Sequence, residues 1–170
     1  RGKAVSGGIV GDEEDWAFLQ DNPAFDLRGC AYVLNPQTLA ANDNMVVINA
    51  ALMVDLTGQI ASESIGATML SGTGGLLEIV IGALWSKGGR SITVLPATND
   101  EGRSSRIVPL LPEGAVVSVP RLLADTVVTE HGVARLLGKT IRERAEELIA
   151  ISGPDFRADL RAAAQRLLYP

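Results

Sequence analysis

Residues 45–56 read MVVINAALMVDL, the longest apolar run in the chain. Its β-branched residues and the missing helical period in its first half predict a buried strand. Hydrophobic residues make up 46% of the 170 positions and aromatics only 4%, so the core has to be aliphatic. An aliphatic core suits buried parallel strands covered by helices.

The rest of the chain alternates in the same manner. Short strands are expected at residues 3–10, 30–34, 59–65, 91–95, 107–111, 115–119 and 126–129. A helix is expected at 12–20, where Asp12, Glu13, Glu14 and Asp15 complement the positive end of the helix dipole. Asn35-Pro36 reads as a cap followed by a first helical position. Residues 76–85 (LLEIVIGALW) follow a glycine turn and read as a buried helix closed by Lys87-Gly88-Gly89. Thr140 and Glu143 form a capping box ahead of Ile141, Ala145, Leu148 and Ile149, which share one face. Pro154 opens a last helix. Strands interleaved with helices predict a single α/β domain over residues 1–170, an open layered sheet with flanking helices.

Several classes are disfavoured. A net charge of −5 and the lack of a basic stripe argue against a nucleic-acid partner. One cysteine, Cys30, allows no internal disulfide and fits a reducing compartment, so a cytoplasmic location is expected. One cysteine with one histidine leaves no structural zinc set, and no metal is expected. No run of 18 apolar residues is present to span a membrane as a helix.

Ser71-Gly72-Thr73-Gly74-Gly75 is the part of the chain suited to a ligand. Three glycines ahead of a helix free successive N–H groups to point into one space, where an anion or oxyanion is held. The same residues also suit a plain tight turn that needs positive φ. His131 ends a strand and reads as a surface or packing residue, and Cys30 as a small core residue. Glu63, between two serines ahead of the turn, reads as a solvated strand-end residue, or as a carboxylate facing the turn. Asn49 lies inside the apolar run and needs a hydrogen-bond partner if buried. Asn42 and Asn44 read as turn residues. Residues 141–147 (IRERAEE) read as a solvated helix face with i,i+4 pairs.

Read in order, AANDNMVVINAALMVDLTGQIASESIG, SGTGG, WSKGGRSITVLPAT, SSRIVPLLPEGAVV, VVTEHGVARLLGKTIRERAEELI and PDFRADL cover nearly the whole chain. Together they resemble the C-terminal domain of the acetyl-CoA hydrolase/transferase family. The resemblance implies a CoA-transferase fold (NagB/RpiA/CoA-transferase type) acting on acyl-CoA and a small carboxylate. It implies a glutamate nucleophile that passes through a mixed anhydride and a glutamyl-CoA thioester, with water intercepting in a hydrolase. Coenzyme A is a substrate there, not a bound cofactor. The family turn supplies a backbone N–H to the thioester oxygen, and the matching position is Gly75, with Gly72 and Gly74 shaping the turn. The family asparagine that contacts the thioester arm of CoA corresponds to Asn35.

Three departures follow from the same resemblance. The catalytic glutamate belongs to a Thr/Ser-Glu motif upstream of residues 2–10, so it is expected on an N-terminal part of a longer enzyme. Leu76 and Glu78 stand where the family usually has Gln and Asp. Asp100 stands where a Lys meets the CoA phosphates, leaving Arg103 or Lys87 to compensate. The expected protein is thus a CoA-transferase or acyl-CoA hydrolase whose fragment is inactive alone. The other reading is a module of the same fold that binds CoA, or serves as a scaffold, without catalysis. Homo-oligomerisation stays open.

Overall fold

The computed structural model describes residues 2–99 and 101–169. Its centre is a four-stranded sheet ordered β11-β10-β8-β3, built from Gly132–Arg135, Thr126–Thr129, Arg90–Val94 and Val46–Ala50. β3, β8 and β10 run parallel, and β11 returns antiparallel from β10. A smaller sheet, ordered β5-β4-β9, combines Ile60–Ala61, Met53–Asp55 and Ile107–Val108. One cluster joins the sheets to the helices through Val54, Leu56, Ile60, Val80, Val127 and Leu148, all 2% exposed or less.

The run at 45–56 is two strands rather than one. At Ala51 the chain leaves the large sheet: the Ala51 N–H still bonds Val94 O at 3.0 Å, but the Leu52 N–H bonds Ala61 O of the small sheet at 2.9 Å. The run is also not buried throughout. Val47 is buried, whereas Val46 and Ile48 are exposed.

Crossover helix α4 (Leu76–Trp85) packs on β3 and β8. It is one-sided, since Val80, Gly82 and Ala83 are buried and Trp85 is 65% exposed. It ends on Ser86, not on a glycine cap. The Ser86 hydroxyl donates to Asn42 O at 2.6 Å and accepts the Met45 N–H at 3.1 Å, tying the helix end to the entry of β3. Lys87-Gly88-Gly89 then turns the chain, with Gly88 at φ +73°.

Strand β1 (Ala4–Ser6) is shorter than residues 3–10. It pairs in parallel with β2 (Phe25–Leu27) after α1 (Glu13–Leu19), whose Asp12–Asp15 capping box forms. Residues 30–34 are not a strand. Cys30–Val33 form one helical turn, α2, closed by the Leu34 N–H on Cys30 O at 2.9 Å. β2 already pairs with β1, and Cys30 is exposed rather than in the core. α3 (Pro36–Ala40) follows with Asn35 as its cap.

Residues 59–65 hold β5 and then β6 (Ser64–Ile65), which pairs with β7 (Thr68–Met69). Residues 107–111 hold only β9, because Pro109 has no N–H to extend the ladder. Residues 115–119 form no strand, and only Val119 bridges to Ile60.

Helix α5 (Ile141–Ala150) carries the Thr140–Glu143 capping box. Its charged residues are not all solvated. Arg142 pairs with Glu146 at the surface, but Arg144 is buried, donating to Lys139 O at 3.1 Å and Arg121 O at 2.6 Å. Loss of water pushes that guanidinium below its ordinary pKa. A 3-10 turn at Pro154–Phe156 leads into α6 (Arg157–Leu167).

Asp55, fully buried, organises the turn between the paired strands β4 and β5. One carboxylate oxygen accepts the Thr57 N–H at 2.9 Å, the Thr57 hydroxyl at 2.6 Å and the Gln59 N–H at 3.0 Å. The other accepts Gln59 Nε2 at 2.8 Å. Removing the acceptor strands several donors at once. Asp55→Ala is therefore expected to lower stability by at least about 3 kcal/mol, measured as the loss of unfolding free energy in urea.

Candidate functional site

In parallel strands the C-terminal ends share one edge, and crossovers carry ligand-binding loops to it. Here that edge is formed by Ala50, Val94 and Thr129. The link from α4 to β8 is short, so α4 runs antiparallel to β8 and its first turn lies at the same edge. The glycine turn is the approach to that first turn.

Gly74 sits at φ +56°, in the left-handed region. Gly75 is the helix N-cap and makes no side-chain cap bond. A Cβ on Gly75 would run into both methyls of Leu34, so the turn lies directly against the residue preceding Asn35. Gly75 and Asn35 are thereby brought together. The Asn35 Oδ1 is committed to capping α3, accepting the Gln37 N–H at 2.8 Å. Its Nδ2 is the group left over. Leu76 turns its side chain toward the hydrophobic core and offers only backbone to the turn.

Two further segments reach the edge. Glu63 O accepts the N–H groups of Leu70 and Ser71, and the Ser62 hydroxyl donates to Ala50 O at 3.2 Å. The start of the glycine turn is thus laced to the end of β3. Glu63 itself is buried, not solvated, and its carboxylate takes no hydrogen bond among the described residues.

Asn49 is register-paired with Thr93 and shares its sheet face with Val47. That face is the one covered by α4. Its Nδ2 is shielded from solvent and has no hydrogen-bond partner among the described residues. An unmatched buried amide costs about 1–3 kcal/mol, and Asn49 carries it one residue before the end of β3, on the face that α4 covers.

Glu130, just past β10, was not singled out from sequence. Both carboxylate oxygens accept the Ala97 N–H, at 2.9 and 3.2 Å, pinning the chain as it leaves β8. That bond chiefly holds the carboxyl below the ordinary glutamate range. A shallow groove lined by Ala50, Val94, Leu95, Pro96, Val128 and Glu130 runs along the edge. The signal was a glutamate between a β-branched strand and a glycine, in Val128-Thr129-Glu130-His131-Gly132. His131, the lone histidine, is exposed, 3.6 Å from Glu130, and joins no nucleophile.

Arg103 lies on the loop that leaves the same edge, but its guanidinium pairs with Glu101. Asn99 Oδ1 holds this loop by accepting the N–H groups of Arg103 at 2.8 Å and Ser104 at 3.1 Å. Nothing brings Arg103 into contact with Gly75. Asp100 lies outside the described residues.

These features define an α/β domain whose strand C-terminal edge carries backbone amides and unspent side-chain polar groups. The profile of the Acetyl-CoA hydrolase/transferase C-terminal domain matches residues 11–164, and the chain belongs to that family. It is 46% identical to the 4-hydroxybutyrate coenzyme A transferase of Clostridium kluyveri, over 94% of this chain and 37% of that protein. It is 44% identical to the succinyl-CoA:cyclohexane-1-carboxylate CoA transferase of Geobacter metallireducens, over 98% of this chain and 38% of the other. The crystal structure of RipA from Yersinia pestis superposes with a TM-score of 0.92 at 41% identity, covering 98% of this chain and 38% of RipA. The chain therefore spans well under half the length of each.

The turn itself can be probed by stability. Gly74→Ala is expected to cost about 1–2 kcal/mol, because an L-residue is strained at its φ. Gly72→Ala, at ordinary φ with open space around it, should stay within about 0.5 kcal/mol of the parent. Thermal unfolding of the two variants side by side checks the contrast.

Proposed function

We propose that this chain supplies the CoA side of an acyl-CoA:carboxylate CoA-transferase of the acetate, succinate or 4-hydroxybutyrate type, with acyl-CoA hydrolysis as a variant of the same chemistry. The observation that carries the reading is the unmatched, solvent-shielded Asn49 Nδ2 near the end of β3, at the strand edge that the glycine turn approaches, in a domain of this family. The names of its relatives support the pairing of an acyl-CoA with a carboxylate.

In this reading a glutamate carboxylate elsewhere in the longer polypeptide attacks the thioester carbonyl. CoA thiolate leaves and a mixed anhydride forms. The thiolate then attacks the glutamyl carbonyl, releasing the first carboxylate and leaving a glutamyl-CoA thioester. An incoming carboxylate runs the sequence in reverse, and in the hydrolase variant water takes its place. The Gly75 N–H donates to the oxygen that gains negative charge, in a turn shaped by Gly72 and Gly74. The Asn49 and Asn35 amides donate to the thioester arm. Leu76 contributes through its backbone N–H. Glu130 fixes the 95–97 segment against which the arm lies. Arg103 reaches a CoA phosphate by exchanging Glu101 for it. The work is cytoplasmic, in keeping with one free exposed thiol.

The Glu101–Arg103 pair also favours a second reading, a CoA-binding or scaffold module without turnover, because the loop charge is already neutralised. Incubating the full-length protein with acetyl-CoA and a panel of carboxylates separates the two. Exchange of the thioester, with a CoA adduct on a glutamate seen by mass spectrometry, supports the enzyme. Binding without exchange supports the module. Asn49→Ala is expected to lower kcat/KM at least about tenfold, the loss of one buried hydrogen bond to the thioester arm. The same variant should hold or gain thermal stability, since it removes an unsatisfied donor. A variant that unfolds earlier would make Asn49 a structural residue instead.

A further inference from the structure

Glu63 is a titratable group that the proposed chemistry does not use. It is 6% exposed, and its carboxylate has no hydrogen bond or ion pair among the described residues. Asn49 Nδ2 is the described buried side-chain polar atom that is both shielded from solvent and without a partner. The unpartnered Glu63 oxygens are therefore not shielded. The stem of the side chain is enclosed while its charged tip meets solvent, so the carboxylate lies at the floor of a recess.

The backbone on either side holds this tip in place. The Ser62 N–H donates to Ser118 Oγ at 2.9 Å, and the Ser62 hydroxyl donates to Ala50 O at 3.2 Å. Ser64 is fully buried, and its hydroxyl accepts the Val116 N–H at 2.8 Å. The Glu63 carbonyl accepts the N–H groups of Leu70 at 2.7 Å and Ser71 at 3.2 Å. Ser71 opens the glycine turn and Gly75 ends it, at most about 14 Å away along the chain. An enclosed carboxylate without a donor costs stability and contributes none. The fold thus keeps an unspent acceptor within one turn's length of the Gly75 amide.

A carboxylate repels the incoming carboxylate, the phosphates of CoA and the developing oxyanion alike. Its partner is therefore a donor on a neutral part of the substrate. The arm of CoA between sulfur and pyrophosphate is neutral and carries two secondary amides, the nearer one two carbons from the sulfur. Asn35 and Asn49 act as donors, so they meet carbonyl oxygens and leave the N–H groups of those amides open. A carboxylate accepts such an N–H in a strong, charge-assisted bond. We infer that Glu63 is a specificity-determining residue, whose carboxylate accepts an amide N–H of the arm of a CoA thioester held by the Gly75 amide. The inference rests on the reading of the chain as the CoA side of a transferase. It adds the group that tells the arm of CoA from that of a plain thiol.

The test is made on the full-length polypeptide, with exchange into a carboxylate followed for two acetyl thioesters. One is acetyl-pantetheine, which keeps both amides. The other is the acetyl thioester of a thiol-ended oligo(ethylene glycol) of like length, neutral and soluble but without an N–H. The ratio of their kcat/KM values is expected to fall about tenfold or more in Glu63→Ala, the loss of a hydrogen bond to a charged acceptor. Glu63→Gln keeps a neutral acceptor of the same shape, so it should retain part of the preference and unfold at the parent's temperature. A loss shared equally by both thioesters makes Glu63 a structural residue and overturns the inference. Exchange by the parent and by Glu63→Ala with the same preference overturns it too and leaves the proposed function standing. Calorimetric titration with CoA separates the remaining cases. A parent that exchanges nothing but binds CoA about tenfold or more tighter than Glu63→Ala removes the transferase and keeps the contact. Equal or weaker binding by such a parent removes both.

Discussion

The parallel alignment of β3, β8 and β10 is the constraint on which the remaining features depend. Parallel strands cannot be joined by a tight hairpin, so the chain must return from one end of the sheet to the other each time. Between β3 and β8 the return is α4, which arrives at the strand C-terminal edge through the glycine turn. Between β8 and β10 it is the 95–125 segment, which leaves that edge past Ala97. Because both connections share an edge, the end of β3 with Asn49, the glycine turn ahead of α4 and Glu130 beyond β10 all belong to it although they lie far apart in sequence. The Glu130 bond to Ala97 and the Ser62 bond to Ala50 close the edge from either side.

The same topology explains where rigidity is placed. Asp55 meets four donors in the turn between β4 and β5, and Arg144 reaches two carbonyls from α5. A Cβ at Gly58 would come within 2.9 Å of the Arg144 guanidinium, so the two buried charged groups act on one turn. Neither is a salt bridge. Each is matched by neutral groups, which satisfies the charge locally and leaves no buried counter-ion to misplace. This anchor sits under the buried face, away from the groove.

Much of the fold was legible because its signals are local. The Thr140–Glu143 box, the Asn35-Pro36 start, the helix after the glycine turn and the strand expected at 91–95 and found at 90–94 all follow from neighbours a few residues apart. What failed had no local signature. CAYV is too short to show a period, and whether it is strand or helical turn depends on β2 pairing with β1. The break at Ala51 depends on a distant partner, Ala61. The site divides in the same way. The glycine turn announces itself, whereas Glu130 becomes a candidate only when β10 is known to end beside β8. Arg144 hides in a run of charges because its burial is decided by Gly58 and Arg121, not by its helix.

Two features that would count as defects in a self-contained domain occur together. Asn49 buries a donor without an acceptor, and the sheet presents one aliphatic face to solvent. Both lie on the strands whose ends form the candidate site, and neither touches the Asp55–Arg144 anchor. With net stability for a domain of only about 5–15 kcal/mol, an unmatched amide costing about 1–3 kcal/mol is a sizeable part of the whole, and the fold carries it near a strand end rather than at the Asp55–Arg144 anchor.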